Sequence, residues 1–304
     1  MPLQTTALRY FEMVARLGSI TAAAERLHVA PSAISRQIAK LEEELSCVLF
    51  ERRPRGMALS QAGELLAEHA KRALLGADQV TAEIRELQDV TRGLIRIASS
   101  EGFALDLLPT AILEFHKEHP GIRFELTVGL PEQITRLVIN GDVDLGIVFP
   151  SVPTIAVNTI FQTDVPIMII ASPAHPLAKK RAIGLTDLKA YPLLLTRSTT
   201  SIFEEACFHE DIFIEPAFTS NTVASLIPYI KEGQGLAPMA PLSITSQLRD
   251  RSLIALNLKS SHSLTRSLQI QVMKDRKLPR ACTVFLDRLK ILIGSIQGRD
   301  RKPG

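Results

Sequence analysis

The stretch GSITAAAERLHVAPSAISRQIAKLEEEL, residues 18–45, reads as two helices joined by a tight corner. Ser19 is a good N-cap for a short helix through Leu27, because its hydroxyl can satisfy an orphan backbone N–H. Pro31 fits the first turn of the next helix, where its missing N–H costs nothing. That second helix places Ala33, Ile34, Ile38, Leu41 and Leu45 at helical spacing, a stripe expected to pack inward. The opposite face opens with Ser32, Ser35, Arg36 and Gln37 and continues to Lys40. Short hydrogen-bonding side chains with Arg and Gln at a helix N-terminus suit base edges and phosphates of DNA. An ordinary solvated face would be built from the same residues.

The surrounding chain narrows the choice. Residues 1–60 hold eight Lys/Arg against six Asp/Glu, and three of those acids sit together at Glu42, Glu43 and Glu44. Arg36, Lys40, Arg52, Arg53 and Arg55 are then left to form one local basic face, although the whole chain carries a net charge of only +3. Val48, Leu49 and Phe50 read as a buried edge, followed by the basic turn Arg52-Arg53-Pro54-Arg55-Gly56. This pattern predicts a small β-wing whose arginines meet the phosphate backbone, with an unpartnered surface turn as the alternative. Thr5–Leu17 reads as a helix in front of the pair. Ser60 starts a long one reaching about Asp89, in which Leu66, Ala70, Ala73, Ala77, Val80, Ile84 and Leu87 step by four and three. That is the a/d repeat of a coiled coil and predicts a dimerisation seam, with packing on the chain's own domain as the alternative.

At 304 residues the chain is expected to hold more than one domain, and 46% hydrophobic with 22% charged residues indicates folded cores. No run of 18 or more apolar residues and no signal-peptide pattern is found, which predicts a cytoplasmic protein away from membranes. Cys47, Cys207 and Cys282 are odd in number and far apart, against a disulfide framework or zinc cluster. After Thr91-Arg92-Gly93 the pattern changes to β-α-β-α-β. Leu94–Ala98, Ile122–Val128 and Asp144–Phe149 read as strands and Pro131–Asn140 as a helix; another helix runs from the first strand through about Lys117. A break is expected near Ser151–Thr163. Strands at Val165–Ala171, Leu193–Thr196 and Ser267–Val272 follow, with helices at Ser201–His209, Thr222–Glu232 and Ala281–Ile296 and a disordered tail Gly298–Gly304. Two α/β lobes with a cleft between them fit this order.

The residues Ala22-Ala23-Ala24-Glu25-Arg26-Leu27, Pro31-Ser32-Ala33-Ile34-Ser35-Arg36-Gln37-Ile38, Leu49-Phe50-Glu51-Arg52 and Leu59-Ser60-Gln61-Ala62-Gly63 together resemble the LysR-type transcriptional regulators. Weaker landmarks of the same family are Gly141-Asp142-Val143-Asp144-Leu145, His175-Pro176-Leu177-Ala178 and Gly233-Gln234-Gly235-Leu236. The resemblance implies an α/β protein with an N-terminal all-α winged helix-turn-helix and a two-lobed effector domain like the periplasmic binding proteins. The expected divisions are residues 1–59, a linker helix 60–90, and an effector domain 91–304. Its first lobe would be about 91–163 and 267–304, its second about 164–266. The resemblance further implies homodimers or homotetramers, a double-stranded DNA operator, RNA polymerase as a partner, and a small-molecule effector between the lobes. By position, Pro31, Ser32, Ser35, Arg36, Gln37 and Lys40 would approach the major groove, and Arg52, Arg53 and Arg55 the phosphates or minor groove.

The effector loops carried over by position are Ser99-Ser100-Glu101-Gly102, Leu130-Pro131, Thr196-Arg197-Ser198-Thr199-Thr200 and Asn221-Thr222. The first offers hydroxyls and N–H groups at a helix start, an anion cradle that Glu101 would oppose. Arg197 is the fixed cation of the set and could pair with a carboxylate effector; helix caps and surface loops remain the other reading. No phosphate-binding glycine loop, H-E-x-x-H or G-x-S-x-G is found, so no enzyme, cofactor or metal is expected. A regulator of the same architecture that senses oxidants through the single thiol of Cys207, or acts without an effector, stays open.

Overall fold

The structure, a computed structural model, describes residues 6–53, 56–86, 93–150, 152, 154–180, 182–260 and 264–300. The chain divides into two compact units, Met1–Asp89 with Arg276–Pro279, and Val90–Asp275 with Arg280–Gly304. The first contains α1 (Thr6–Leu17), α2 (Ile20–Leu27), α3 (Pro31–Leu45), the antiparallel strands β1 (Phe50–Arg53) and β2 (Gly56–Leu59), and α4 (Gln61–Glu86).

Local chemistry explains these boundaries. Ser19 Oγ accepts from Ala22 N at 3.3 Å and so caps α2, which ends at His28 in the left-handed region (φ 55°). Pro31 opens α3. One core joins Phe11 and Val14 of α1, Ala23 and Ala24 of α2, Ile34 and Ile38 of α3, Leu49 and Phe50 of the wing, and Ala70 of α4. The Phe11 and Phe50 rings meet at 5.1 Å. Two apolar side chains expected inside are not: Leu45 is 50% exposed and Val48 63%. Helix α3 ends at Ser46 (φ 51°), so Leu45 lies beyond the last turn that reaches the core. At Val48 only the backbone is engaged, its carbonyl accepting from Ser60 Oγ at 2.6 Å.

The second unit runs β3 (Gly93–Ser99), α5 (Glu101–Ala104), α6 (Leu107–Glu118), β4 (Ile122–Val128), α7 (Pro131–Ile139), β5 (Leu145–Val148), β6 (Val157–Pro166) and β7 (Met168–Ala171). It continues with β8 (Ile183–Gly184), α8 (Leu185–Leu188), β9 (Leu194–Thr196), α9 (Arg197–His209), β10 (Phe218–Ser220), α10 (Ile227–Lys231) and β11 (Ala237–Met239). Last come α11 (Thr245–Arg249), β12 (Ile254–Leu256), β13 (Leu258–Lys259), β14 (Thr265–Met273) and α12 (Arg280–Asp300).

Two lobes result. The first carries a five-stranded sheet ordered β4-β3-β5-β14-β6, with β3 parallel to β4 and β5 and with β14 antiparallel to β5 and β6. Helix α12 covers it by setting Phe285 against Phe115 (5.4 Å) and Phe124 (5.0 Å). The second lobe is built around β11-β7-β12, joined through the Leu193–Leu236 bridge to the parallel pair β9 and β10. Its core includes Ile170, Leu194, Leu226, Ile230, Ala237 and Leu253.

Four expectations change in detail. The break expected near Ser151–Thr163 contains the start of β6, which pairs with β14 along nearly its whole length, so both chain crossings between lobes are strands. The helix expected after the first strand is two, because Asp106 restarts it as the N-cap of α6. The helix expected at Thr222–Glu232 is confined to Ile227–Lys231, where Pro228 occupies the first turn. The helix expected from Ser201 begins earlier, at Arg197.

The other landmarks have structural roles. His175 is buried against Tyr191, and its Nδ1 accepts from Leu177 N at 3.2 Å; burial holds its pKa below the usual histidine range. Asp144 Oδ2 accepts from Arg96 N at 2.8 Å, tying β3 to the turn before β5. The tail expected to be disordered from Gly298 is helical as far as Asp300, where α12 ends, and residues 301–304 lie outside the described residues.

Candidate functional site

In the first unit the buried side chains of α3 turn its other face outward. Pro31, Ser32, Ser35, Arg36 and Lys40 are exposed and Gln37 is half-buried. Arg36 is engaged by no hydrogen bond or ion pair among the described residues, leaving its guanidinium fork open. Ser35 Oγ donates back to Pro31 O at 3.1 Å, so its lone pairs face outward while its proton is used within the helix. Lys40 lies 3.6 Å from Glu44 and Arg53 3.0 Å from Glu51, both exposed pairs that phosphate can replace at little cost. Arg55 and the side chain of Arg52 lie outside the described residues.

Glu42, part of the acidic run in the sequence, positions the wing. Its Oε1 accepts from Leu49 N at 2.7 Å and Phe50 N at 3.3 Å, fixing the start of β1 to α3. On the other side Met57 N donates to Gly18 O at 2.8 Å, and Gly56 (φ 126°) leaves no room for a side chain, since a Cβ there would sit 2.6 Å from Gly18 O. Helix α4 begins under Ser60, whose Oγ accepts from Gly63 N at 3.0 Å. Of the expected seam, Ala70 is fully buried and Leu66 half-buried against the domain's own core. Ala73, Val80 and Ile84 are exposed, Ala77 is half-buried, and Leu87 lies outside the described residues.

The cleft of the second unit holds a cavity of about 90 Å³. It is lined by Ser100, Glu101, Gly102, Leu130, Thr196, Ser198, Thr199 and Asn221, all anticipated from the sequence, together with Pro131, Phe149, Val223, Ser243 and Arg266. Ser99 is completely buried and its hydroxyl bonds to Ser100 O at 3.0 Å, so it supports the loop from behind. Thr222 N donates to Ser220 Oγ at 3.1 Å, so Ser220 caps this turn, and Thr222 lies outside the cavity lining. Arg197 is also outside that lining. It opens α9 on the surface, in a separate hollow with Thr200, Ser201 and Glu204. The hydroxyls of Thr196, Ser198 and Thr199 bond one another at 2.9 Å and organise the start of α9.

The lobes are joined across the cleft by two carboxylates. Glu101 of α5 accepts from Val223 N (2.6 Å, Oε2) and from Ala224 N (3.2 Å, Oε1) in the second lobe. Asp106 accepts from Thr245 Oγ1 and Ser246 N at the start of α11. The Ser243 side chain packs directly on the Gly102 backbone, so that a Cβ on Gly102 would lie 2.4 Å from Ser243 Oγ. Glu101 is therefore turned onto the second lobe's amides, where a carboxylate is stabilised. Cys207 is buried, and burial, then Glu210 and Glu204, push its thiol pKa up, away from a reactive thiolate.

These two assemblies, an exposed helix with a wing and a two-lobed α/β domain closed around a cavity, define a DNA-binding regulator with a ligand-binding domain. The chain matches the family described as "Bacterial regulatory helix-turn-helix protein, lysR family" over residues 5–64 and "LysR substrate binding domain" over residues 88–291. It belongs to the LysR-type transcriptional regulators. The transcriptional dual regulator GltC of Bacillus subtilis is 38% identical over 191 residues, a match spanning 62% of this chain and 63% of that protein's length. Among solved structures, a full-length OxyR from Pseudomonas aeruginosa carrying a cysteine-to-aspartate substitution superimposes with a TM-score of 0.69 at 22% identity, over 96% of this chain and 95% of that one. Full-length CbnR in complex with its target DNA gives 0.55 at 21% identity, over 94% and 98%. Among the described residues no helix is long and apolar enough to cross a membrane.

Proposed function

We propose that this regulator binds an operator through α3 and the wing and that a small molecule held between the two lobes controls the binding. The observation that carries this reading is the cavity between the lobes, lined by Glu101, with Glu101 and Asp106 bonded across the cleft to the second lobe. A cavity of about 90 Å³ is smaller than the ~300–1,000 Å³ of pockets for drug-sized ligands, which fits a compact effector or one admitted on opening. An effector that favours one lobe arrangement shifts the population by its differential affinity alone.

In this reading Pro31, Ser32, Ser35, Arg36, Gln37 and Lys40 meet the major groove, with Arg52, Arg53 and Arg55 on the backbone or minor groove. Ser100, Glu101, Gly102, Leu130, Thr196, Ser198, Thr199 and Asn221 surround the effector, with Ser99 and Thr222 supporting them. The exposed Ala73, Val80 and Ile84 of α4 are the seam of a homodimer, from which a tetramer is assembled. Such a protein acts in the cytoplasm, beside RNA polymerase, and catalyses nothing. Oxidant sensing through Cys207 gains no support from a buried thiol with a raised pKa. The test is DNA binding with and without an effector found by thermal shift. A ligand that raises the melting point and alters operator affinity supports the reading, whereas tight ligand binding with unchanged DNA binding overturns it.

A further inference from the structure

The cleft contains one cation that the effector loops do not supply. Arg266, on β14 where the chain returns from the second lobe, lines the cavity with its Cζ 4.5 Å from the Phe149 ring centroid. A single hydrogen bond is made by this fork of five donors, from Nη2 to Phe149 O at 3.3 Å. No carboxylate pairs with it among the described residues, and burial pulls its pKa down to about 10. Glu101, the acid that shares this lining, has both oxygens engaged by Val223 N and Ala224 N. A partly buried guanidinium without a counter-ion is costly unless an anion completes it. A second group on the same wall is also unfinished: Ser100 Oγ is buried and has no hydrogen-bond partner among the described residues.

We infer that the cleft takes a compact carboxylate, held by the Arg266 fork and the Ser100 hydroxyl, and that Arg266 rather than Arg197 sets this specificity. The inference rests on the cleft being the effector site. Glu101 does not oppose it, because its charge is already met by second-lobe amides. The ring of Phe149 lies against the guanidinium, a cation–π contact that supports the charge on that side. Among the cavity-lining residues Arg266 is the one cation, so it distinguishes an acid from its uncharged isostere.

The probes are malonate, succinate and benzoate, each matched by its amide: malonamide, succinamide and benzamide. Melting points and titration calorimetry on the full chain read the outcome. At least one acid is expected to bind and its amide not to; Arg266→Gln weakens that acid roughly thirtyfold or more, while Arg197→Gln leaves it unchanged. Arg266→Lys keeps the charge but loses the fork, and is expected to bind at an intermediate level, which separates recognition from folding if Arg266→Gln melts early. Ser198→Trp, at an exposed cavity-lining position, should block every cleft ligand. Binding of an amide as tightly as its acid, blocked by Ser198→Trp, overturns the anion assignment and leaves the cleft as the effector site. Acid binding that survives Ser198→Trp and Arg266→Gln overturns both. No binding by any of the three acids overturns the assignment as well.

Discussion

Single side chains of the first unit divide into those proposed to meet DNA and those that hold the wing in place. Arg36 is exposed with its fork open, so Arg36→Ala is expected to remove about 1–3 kcal/mol of discrimination between operator and random DNA without changing the melting point. Competition binding against random duplex measures it, and equal loss on both DNAs would mean a phosphate contact instead. Glu42 holds the wing. Glu42→Ala strands the Leu49 and Phe50 amides and is expected to cost about 1–3 kcal/mol of unfolding free energy in denaturant titration. His175 supplies a pH dependence whose sign is fixed by its lowered pKa. The folded state disfavours the imidazolium and the unfolded chain does not, so stability is complete above the unfolded value of about 6.5 and falls as pH drops through it toward the folded pKa. Melting points between about pH 7.5 and about pH 5.5, either side of that value, are expected to decline less in His175→Asn, whose side-chain oxygen can still accept from Leu177 N. Such roles are unequally legible in the sequence. Arg36 declares itself because helical spacing sorts α3 into two faces within a few residues. Glu42 does not, since its partners lie across a turn and its sequence neighbours are two solvated acids.

Among the elements, α4 changes role along its length. Its first turns pack on the domain core through Leu66 and Ala70, and the exposed members of the four-and-three repeat begin at Ala73. The heptad pattern does not show this division, because a seam and a core demand the same periodicity. Ile84→Glu, at a position 51% exposed, is expected to leave the monomer's fold intact and to shift light-scattering mass toward the monomer. An unchanged mass would remove α4 from the assembly. In β6 the difficulty is the reverse. Its first residues, Val157-Asn158-Thr159, do not alternate cleanly, and only the long antiparallel pairing with β14 makes them a strand. Strand β14 also carries Arg266 to Phe149, a juxtaposition of distant segments that local reading cannot reach.

The whole molecule combines a DNA-binding domain with a two-lobed domain whose cleft is bridged by side chains of the first lobe. Glu101 and Asp106 are the fasteners, and Glu101→Ala is expected to accelerate hydrogen exchange at the Val223 and Ala224 amides while leaving Leu194 of β9 protected. Exchange at those two amides unchanged by the substitution would show the lobes joined by other means. The fold class is legible in the sequence because strand and helix periods are local. About half of the cleft lining is reached only through the family resemblance, which places the loops 99–102, 130–131, 196–200 and 221–222. The cation of the cleft is not legible, since it arrives from the far end of the domain. Whether α3 is a sequence-specific reader used in pairs is tested most directly by selecting binding sites for the full chain from a pool of random duplexes. Enrichment of one motif made of two inverted half-sites is predicted, lost in Arg36→Ala and reduced to a single half-site in Ile84→Glu. Recovery of sequences no different from the starting pool would contradict it.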